Sequence, residues 1–210
     1  MHTLNIEKND RILIVAPHPD DECIGCGGLL CKYKSQCTVW ALTDGRYGGI
    51  YDDEVANAIQ RKYEFEQEMR FLEETDYRMF GLEDGKLIEN IDLISENDIS
   101  VYTKIFVPNQ LDNHPDHRAA YQMVERTVKK SGVPQNIYQY EVSTPLNICT
   151  DYIDISDVIW NKLQLISFHK SQMREFDYCE MARSLNKYRG ILKRIRAGYI
   201  ECYYMQESKN

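Results

Sequence analysis

The chain has 210 residues, 43% of them hydrophobic, and a formal net charge of −8. That length is enough for one sizeable core burying roughly 70% of the unfolded surface and short for two, so a single domain over residues 1–210 is expected. The negative charge argues against nucleic acid or an anionic membrane as the main partner, since either usually needs a basic face. The densest basic cluster, Lys193, Arg194 and Arg196, reads as a solvated helix face. The first ten residues carry no apolar signal core, and no later run reaches the ~18 apolar residues of a membrane span, so a cytoplasmic protein without stable membrane insertion is expected. Seven cysteines, an odd number, fit reduced thiols better than a disulfide framework.

In chain order, Ile12-Leu13-Ile14-Val15 is a short continuous apolar run, expected as a buried strand over about 11–16. A glycine-rich helix over about 24–34 and a second strand, 37–43, complete a βαβ unit. From Asp53 to Glu74, the residues Val55, Ile59, Tyr63, Phe65, Met69 and Leu72 fall at near-helical spacing and predict one long amphipathic helix with those six as its apolar positions. Further strands are expected at 77–80, 104–108 and 137–142, with shorter ones at 152–155 and 199–204. A short helix is expected within 87–99, and longer ones at 118–130, from an N-cap at Ser156 to His169, and between Asp177 and Ala197. The break at Gly132-Val133-Pro134 reads as a loop and not a domain boundary. Alternating strands and helices predict an α/β three-layer Rossmann-like sandwich around a mostly parallel central sheet.

Two stretches carry chemistry. Ala16-Pro17-His18-Pro19-Asp20-Asp21-Glu22 follows the first strand directly, and each proline stiffens the turn by fixing its own φ and restricting the residue before it. His18 and Asp21 can face one metal ion, leaving Asp20 free for proton transfer. The plainer reading is a helix N-terminus whose acids complement the dipole, which accounts for the carboxylates but not the histidine. The second stretch, His114-Pro115-Asp116-His117, lies just beyond the fourth strand. Three of the five histidines thus fall in two His-Pro-Asp contexts. Ligands of open α/β sheets bind outside the carboxyl ends of strands, where the two clusters meet if strands one and four are neighbours. Two imidazoles and a carboxylate make a three-donor site with an open position, the mark of a catalytic metal centre. Zn2+ suits it, and the same donors also allow Fe2+, Mn2+ or Co2+.

These two motifs, with Gly25-Cys26-Gly27-Gly28 after the first and Arg118-Ala119 after the second, closely resemble the LmbE-like (PIG-L) family of zinc-dependent carbohydrate N-deacetylases. Outer segments resemble the family too: Thr43-Asp44-Gly45, Arg61 with Glu64, Asp84-Gly85, and Ser171-Gln172. The resemblance implies a hydrolase of linear amide C–N bonds that removes the N-acetyl group from an N-acetylglucosamine-type sugar or glycoconjugate, by attack of a zinc-bound water. It implies that His18, Asp21 and His117 bind the metal and that Asp20 is the general base. By the same resemblance His114 supports the transition state, as electrostatic stabiliser or proton donor, and Asp116 orients it; Arg61 and Asp84 hold sugar hydroxyls. Arg61 could instead pair with Glu64 one helical turn on, and Asp84 could be an ordinary turn residue. Tyr47 and Tyr51 are candidates to stack on a sugar ring, and His169 reads as a helix C-terminal histidine. The expected partner is a small N-acetylated molecule, with no nucleic acid; a homo-oligomer is compatible with the chain.

Three rival readings stand beside this one. Gly25-Cys26-Gly27-Gly28 opens a helix after a strand as in nucleotide-binding domains, but a G-x-G-x-x-G pattern needs glycine where Leu30 stands, and the acids at 20–22 would repel a pyrophosphate. Cys23 and Cys26 have C-x-x-C spacing for a redox or metal role, yet no second pair completes a four-cysteine zinc site, and small buried residues explain them as well. A zinc amidohydrolase acting on a non-sugar amide shares all the motifs.

Overall fold

The computed structural model describes residues 1–93, 99–132, 135–174, 176–195 and 198–206. Its centre is one eight-stranded sheet in the order β1-β7-β8-β6-β5-β2-β3-β4. The strands are β1 His2–Thr3, β2 Ile12–Ala16, β3 Cys37–Thr43, β4 Asp76–Leu82, β5 Lys104–Pro108, β6 Asn136–Tyr140, β7 Asp151–Asp154 and β8 Ile200–Gln206. The helices are α1 Asp21–Tyr33, α2 Glu54–Leu72, α3 Pro115–Ser131, α4 Ile159–Phe168, a single turn α5 Lys170–Met173, and α6 Tyr178–Leu192. All pairings are parallel except those that β8 makes with β6 and β7, so the mostly parallel three-layer architecture is found. The two-residue edge strand β1 and the turn α5 carry no pattern that the sequence reading detects. Among the described residues no helix is long and apolar enough to cross a membrane.

The apolar run of β2 serves two cores at once. Ile12 and Ile14 face a cluster with Leu29, Phe65, Leu165 and Tyr203, while Leu13 and Val15 face a second with Trp40, Ala120 and Val124. Side chains alternate across a strand, so a strand covered on both faces must be apolar at every position. Helix α1 is buried continuously from Asp21 to Leu30, and its glycines allow this. A Cβ on Gly25 would overlap the ring of Tyr140, and one on Gly28 would overlap Ile155. The glycines therefore permit close packing, and the nucleotide-loop reading loses its support. All seven cysteines are free. Cys23 and Cys26 are fully buried, and burial pushes both thiols well above the ordinary range, which disfavours thiolate chemistry.

Two expectations need correction. In α2, Val55, Ile59 and Tyr63 are 62%, 66% and 56% exposed, while Asn57, Arg61, Glu64 and Glu68 are buried beside Phe65, Met69 and Leu72. The helix turns this polar stripe inward because each group finds a partner: Asn57 holds the Tyr51 backbone, and Arg61, Glu64 and Glu68 have the buried partners described below. Ser156 does not cap α4, which starts three residues later; its hydroxyl bonds the Asp154 carboxylate instead and accepts the Tyr199 amide. Helix α6, Tyr178–Leu192 with Asp177 as its N-cap, lies within the expected span from Asp177 to Ala197; Ala197 itself is outside the described residues, as are Arg196 of the basic cluster and Val133-Pro134 of the expected loop.

Topology positions the site. From β2 the chain runs outward to β3 and β4 and then returns to lay β5 on the other side of β2, with Ile12, Leu13 and Ile14 in register with Lys104, Ile105 and Phe106. Strand order reverses at this point, which leaves a crevice beyond the carboxyl ends of β2 and β5.

Candidate active site

Both motifs open into that crevice. After β2, the Pro17-His18-Pro19 turn leads into α1, so Asp21 and Glu22 occupy the helix's first turn and Asp20 its N-cap position, without using its side chain as a cap. After β5, Pro115 begins α3, His114 is its N-cap and Asp116 and His117 lie in its first turn. The dipole reading is thus geometrically satisfied for Asp21, whose carboxylate also faces two imidazoles.

The donors converge on Asp21. Its Oδ2 lies 3.2 Å from His18 Nδ1 and 3.3 Å from His117 Nε2, and it accepts the His18 amide at 2.9 Å. Two donors of a tetrahedral zinc ion with bonds near 2.0–2.1 Å stand about 3.3 Å apart, so each histidine has the spacing from Asp21 that a pair of ligands on one ion would show. Behind each imidazole stands a carboxylate. His18 Nε2 is 3.0 Å from Asp84 Oδ1 and 3.3 Å from Asp116 Oδ2. His117 Nδ1 is 3.2 Å from Asp112 Oδ1, close enough for an ion pair though not aligned as a hydrogen bond. Metal-bound histidines usually face a carboxylate or carbonyl with the other ring nitrogen, which fixes their orientation.

Among the described residues three other groupings of donors occur: the buried set Glu22, Cys23, Glu68 and His169 lies away from the cleft lining, and the two that include His18 are less suited. His114 brings its ring nitrogens within 4.8 Å of those of His18 and His117. However, its Nδ1 accepts the Asp116 amide at 3.2 Å, so a neutral His114 carries its proton on Nε2, which then donates and has no lone pair for an ion. His18 with Asp84 and Asp116 also forms a group, but Asp116 accepts the amides of Gly85 at 2.6 Å and Leu87 at 3.2 Å, and Asp84 accepts that of Tyr47 at 3.2 Å. Those carboxylates are tied to the loops that carry them.

The electrostatics agree. Burial opposes charge throughout, yet contacts with Asp116, Asp21 and Asp84 raise His18 well above the ordinary imidazole range, and Asp21 with Asp112 brings His117 up to about 9. Conversely, His117 and His18 hold Asp21 well below the ordinary carboxylate range, and His18 pulls Asp84 down to about 2, against burial in both cases. The carboxylates create a field that favours positive charge where the imidazoles meet, and a divalent cation satisfies it as protons do. His114 differs: burial and the two neighbouring imidazoles lower it. Asp20 differs from Asp21 in the opposite sense. Burial raises it to about 6, with Arg61 holding it back.

The cleft above these groups has a volume of about 360 Å³, within the range of small-molecule sites. His18, Asp20, Asp21, Arg61, Asp84, His114 and His117 all line it, with Tyr47 and Tyr178. The Asp116 carboxylate bonds His18, and it is the Asp116 backbone amide that hydrogen-bonds the His114 ring. Arg61 is only 3% exposed and, in place of the alternative pairing with Glu64, bonds Pro19 O at 2.6 Å and Asp20 Oδ1 at 3.2 Å. Tyr51 is not part of the lining. His169 follows α4, as read from the sequence, but is 1% exposed and sits 2.7 Å from Glu68 Oε2. Sequence reasoning missed Asp112, which is 1% exposed and fastens the second motif by accepting the amides of His114 and Thr144. Its only signal is a carboxylate two residues before a His-Pro-Asp-His run.

Comparison with known proteins places this geometry. The family profile of GlcNAc-PI de-N-acetylase (PIG-L) matches residues 13–128, which contain both motifs. The chain belongs to the PIG-L family. A probable N-acetyl-alpha-D-glucosaminyl L-malate deacetylase 2 of Bacillus cereus is 25% identical, over 87% of this chain and 93% of its own. Diacetylchitobiose deacetylase of Thermococcus kodakarensis is 27% identical over 82% of this chain and 74% of that one. The inhibitor-bound N,N'-diacetylchitobiose deacetylase of Pyrococcus horikoshii superposes with a TM-score of 0.81 at 23% identity, covering 95% of this chain and 85% of that one. This PIG-L member thus shares its fold with enzymes that act on N-acetylated sugars.

Proposed function

We propose that this PIG-L member is a metal-dependent hydrolase that removes the acetyl group from an N-acetylglucosamine-type sugar or glycoconjugate. The observation that carries the reading is that His18 and His117 both face the same oxygen of Asp21 at the floor of the cleft, with a second carboxylate, Asp20, also lining it and left off the ligand set. Zinc suits the donors, as do Fe2+, Mn2+ and Co2+. Bound there, such an ion would acidify water, to a pKa of about 7 for zinc, and polarise the amide carbonyl.

The chain's own groups supply the remaining steps. Asp20, raised by burial to about 6, is a stronger base than an ordinary aspartate and takes a proton from the attacking water. As the carbonyl carbon becomes tetrahedral its oxygen gains negative charge, and the Nε2–H of His114 donates to it. Collapse breaks the C–N bond. The proton held by Asp20, or one passed through His114, goes to the departing nitrogen, leaving acetate and a free amine. Asp84 and Asp116 hold His18, and Asp112 holds His117. Asp84 uses one contact per oxygen, so each keeps a lone pair for a sugar hydroxyl. Arg61 contributes through Asp20, and Tyr47, 54% exposed at the cleft rim, offers a face for a sugar ring.

The test is acetate release from a panel of N-acetylglucosaminides, with N-acetyl peptides as the non-sugar arm. Activity on the sugars that disappears with chelation and returns with zinc is expected. His117→Ala should lose bound zinc and activity together. Release from the peptides alone would replace the sugar reading with a general amidohydrolase.

A further inference from the structure

Asp20 is held in a backbone conformation that residues with a side chain rarely adopt, φ 132° and ψ −23°. Such strain persists only where the surroundings over-determine it, and it gathers at functional sites. Its fastenings are specific. The Asp20 amide donates to Glu22 Oε2 at 3.2 Å, and the Asp20 carbonyl accepts the Ile24 amide at 3.0 Å and the Cys23 thiol at 3.1 Å. Arg61 grips Pro19 O and the Asp20 carboxylate from the other side.

Glu22 is fully buried and lies in a second polar cluster beneath the cleft, with Glu68 at 0% and His169 at 1% exposure. His169 Nε2 is 2.7 Å from Glu68 Oε2 and 3.8 Å from Glu22 Oε1. Burial keeps the cluster close to neutral: His169 is lowered to about 3, Glu22 is raised to about 8 and Glu68 well above its ordinary value. The inward stripe of α2 explains how it is held. Arg61 reaches Asp20, Glu64 takes the amide and hydroxyl of Ser171 at 2.8 and 2.6 Å, and Glu68 takes His169. One helix face thus links the start of α1 to the segment after α4. Two buried carboxyls with no cation to pair with are a poor way to build a core. Their one contact toward the cleft is the Asp20 amide.

We propose that Glu22, backed by Glu68 and His169, is a positioning residue that fixes the Asp20 backbone so that the Asp20 carboxylate faces the metal site. This rests on Asp20 acting as the base in the reaction proposed above. Glu22 touches neither substrate nor reacting atoms and works only through Asp20.

Substitutions at Glu22, with kinetics, zinc content and amide exchange as readouts, test it. Glu22→Leu keeps the volume but removes the acceptor, and Glu22→Asp keeps a carboxyl but draws it away from the amide. Glu22→Gln keeps an acceptor within reach. For Glu22→Leu we expect kcat to fall about 10- to 100-fold with little change in KM or zinc content, since misplacing a catalytic group by about 1 Å has an effect of that order. Glu22→Asp should fall in the same direction if the leucine variant does not fold, and Glu22→Gln should recover most of the loss. Amide hydrogen exchange at Asp20, which needs no substrate, should be slow in the parent and in Glu22→Gln and at least about tenfold faster in Glu22→Asp. A parent that releases no acetate, with exchange changing as described, would sink the deacetylase reading and leave the positioning role standing. Unchanged exchange, or equal loss of kcat in Glu22→Gln and Glu22→Leu tracking their loss of thermal stability, would overturn the proposal. Two zinc equivalents per chain in the parent, one of them lost in His169→Ala, would also overturn it and make the cluster a second metal site.

Discussion

Two groups of buried charge pack against α1, and they are built differently. Near the middle of the helix, Glu201 and Lys162, 1% and 0% exposed, form a closed unit. The two oxygens of Glu201 accept the amides of Gly28 and Leu29, the Lys162 ammonium at 2.7 Å and the Tyr203 hydroxyl at 2.8 Å. At the start of the helix, Asp20, Asp21 and Glu22 lead into a connected set that is left open. It opens to a cleft on one side, and among the described residues its two raised carboxyls, Glu22 and Glu68, share a hydrogen bond with each other and no cation, while His169 Nδ1 has no hydrogen-bond partner. A closed pair ties elements together, whereas the open set keeps donors and acceptors available for a ligand or for a strained neighbour.

The largest effect on stability is expected from breaking the closed pair. Glu201→Leu strands the Lys162 ammonium in the core and should lower unfolding free energy by about 3–5 kcal/mol, read by urea denaturation, while the folded fraction keeps its kcat. A similar loss of kcat in the folded fraction would mean the two groups are functionally continuous. A smaller effect, about 1–3 kcal/mol, is expected for Gly28→Ala, because the added methyl meets Ile155. Thermal unfolding at fixed pH measures it.

The open set should show itself in pH dependence. His169 is neutral in the folded protein, its pKa lowered by burial to about 3 from the ordinary 6.5. The unfolded chain therefore binds a proton more readily than the folded one below pH 6.5. The contribution is fully present above 6.5 and is lost as pH falls toward 3. His169→Gln should make the acid-side decline in melting temperature shallower between those limits, and an unchanged slope would mean that other groups dominate it.

Much of this was readable in the sequence where a local pattern carries the information. The apolar runs of β2 and β5 and the turn residues after them mark strand ends, and the two His-Pro-Asp contexts fall just beyond. What was not readable depends on partners far away in the chain. The buried stripe Asn57, Arg61, Glu64 and Glu68 recurs at helical spacing, but polar residues at that spacing usually face water, and only the positions of Pro19, Ser171 and His169 turn them inward. For the same reason Val55, Ile59 and Tyr63 looked like a core face. Asp112 becomes a partner of His117 only once the loop after β5 folds back, and Lys162 meets Glu201 only when α4 and β8 pack on α1. The antiparallel direction of β8 leaves no trace in side-chain alternation.

The central claim is that the two adjacent aspartates have divided roles, Asp21 for the ion and Asp20 for the proton. Zinc content and acetate release measured together on Asp20→Asn test this most directly. The account predicts that the variant binds as much zinc as the parent while its rate falls at least about 100-fold, the scale of a lost general base. A variant that keeps both its zinc and its rate would contradict it.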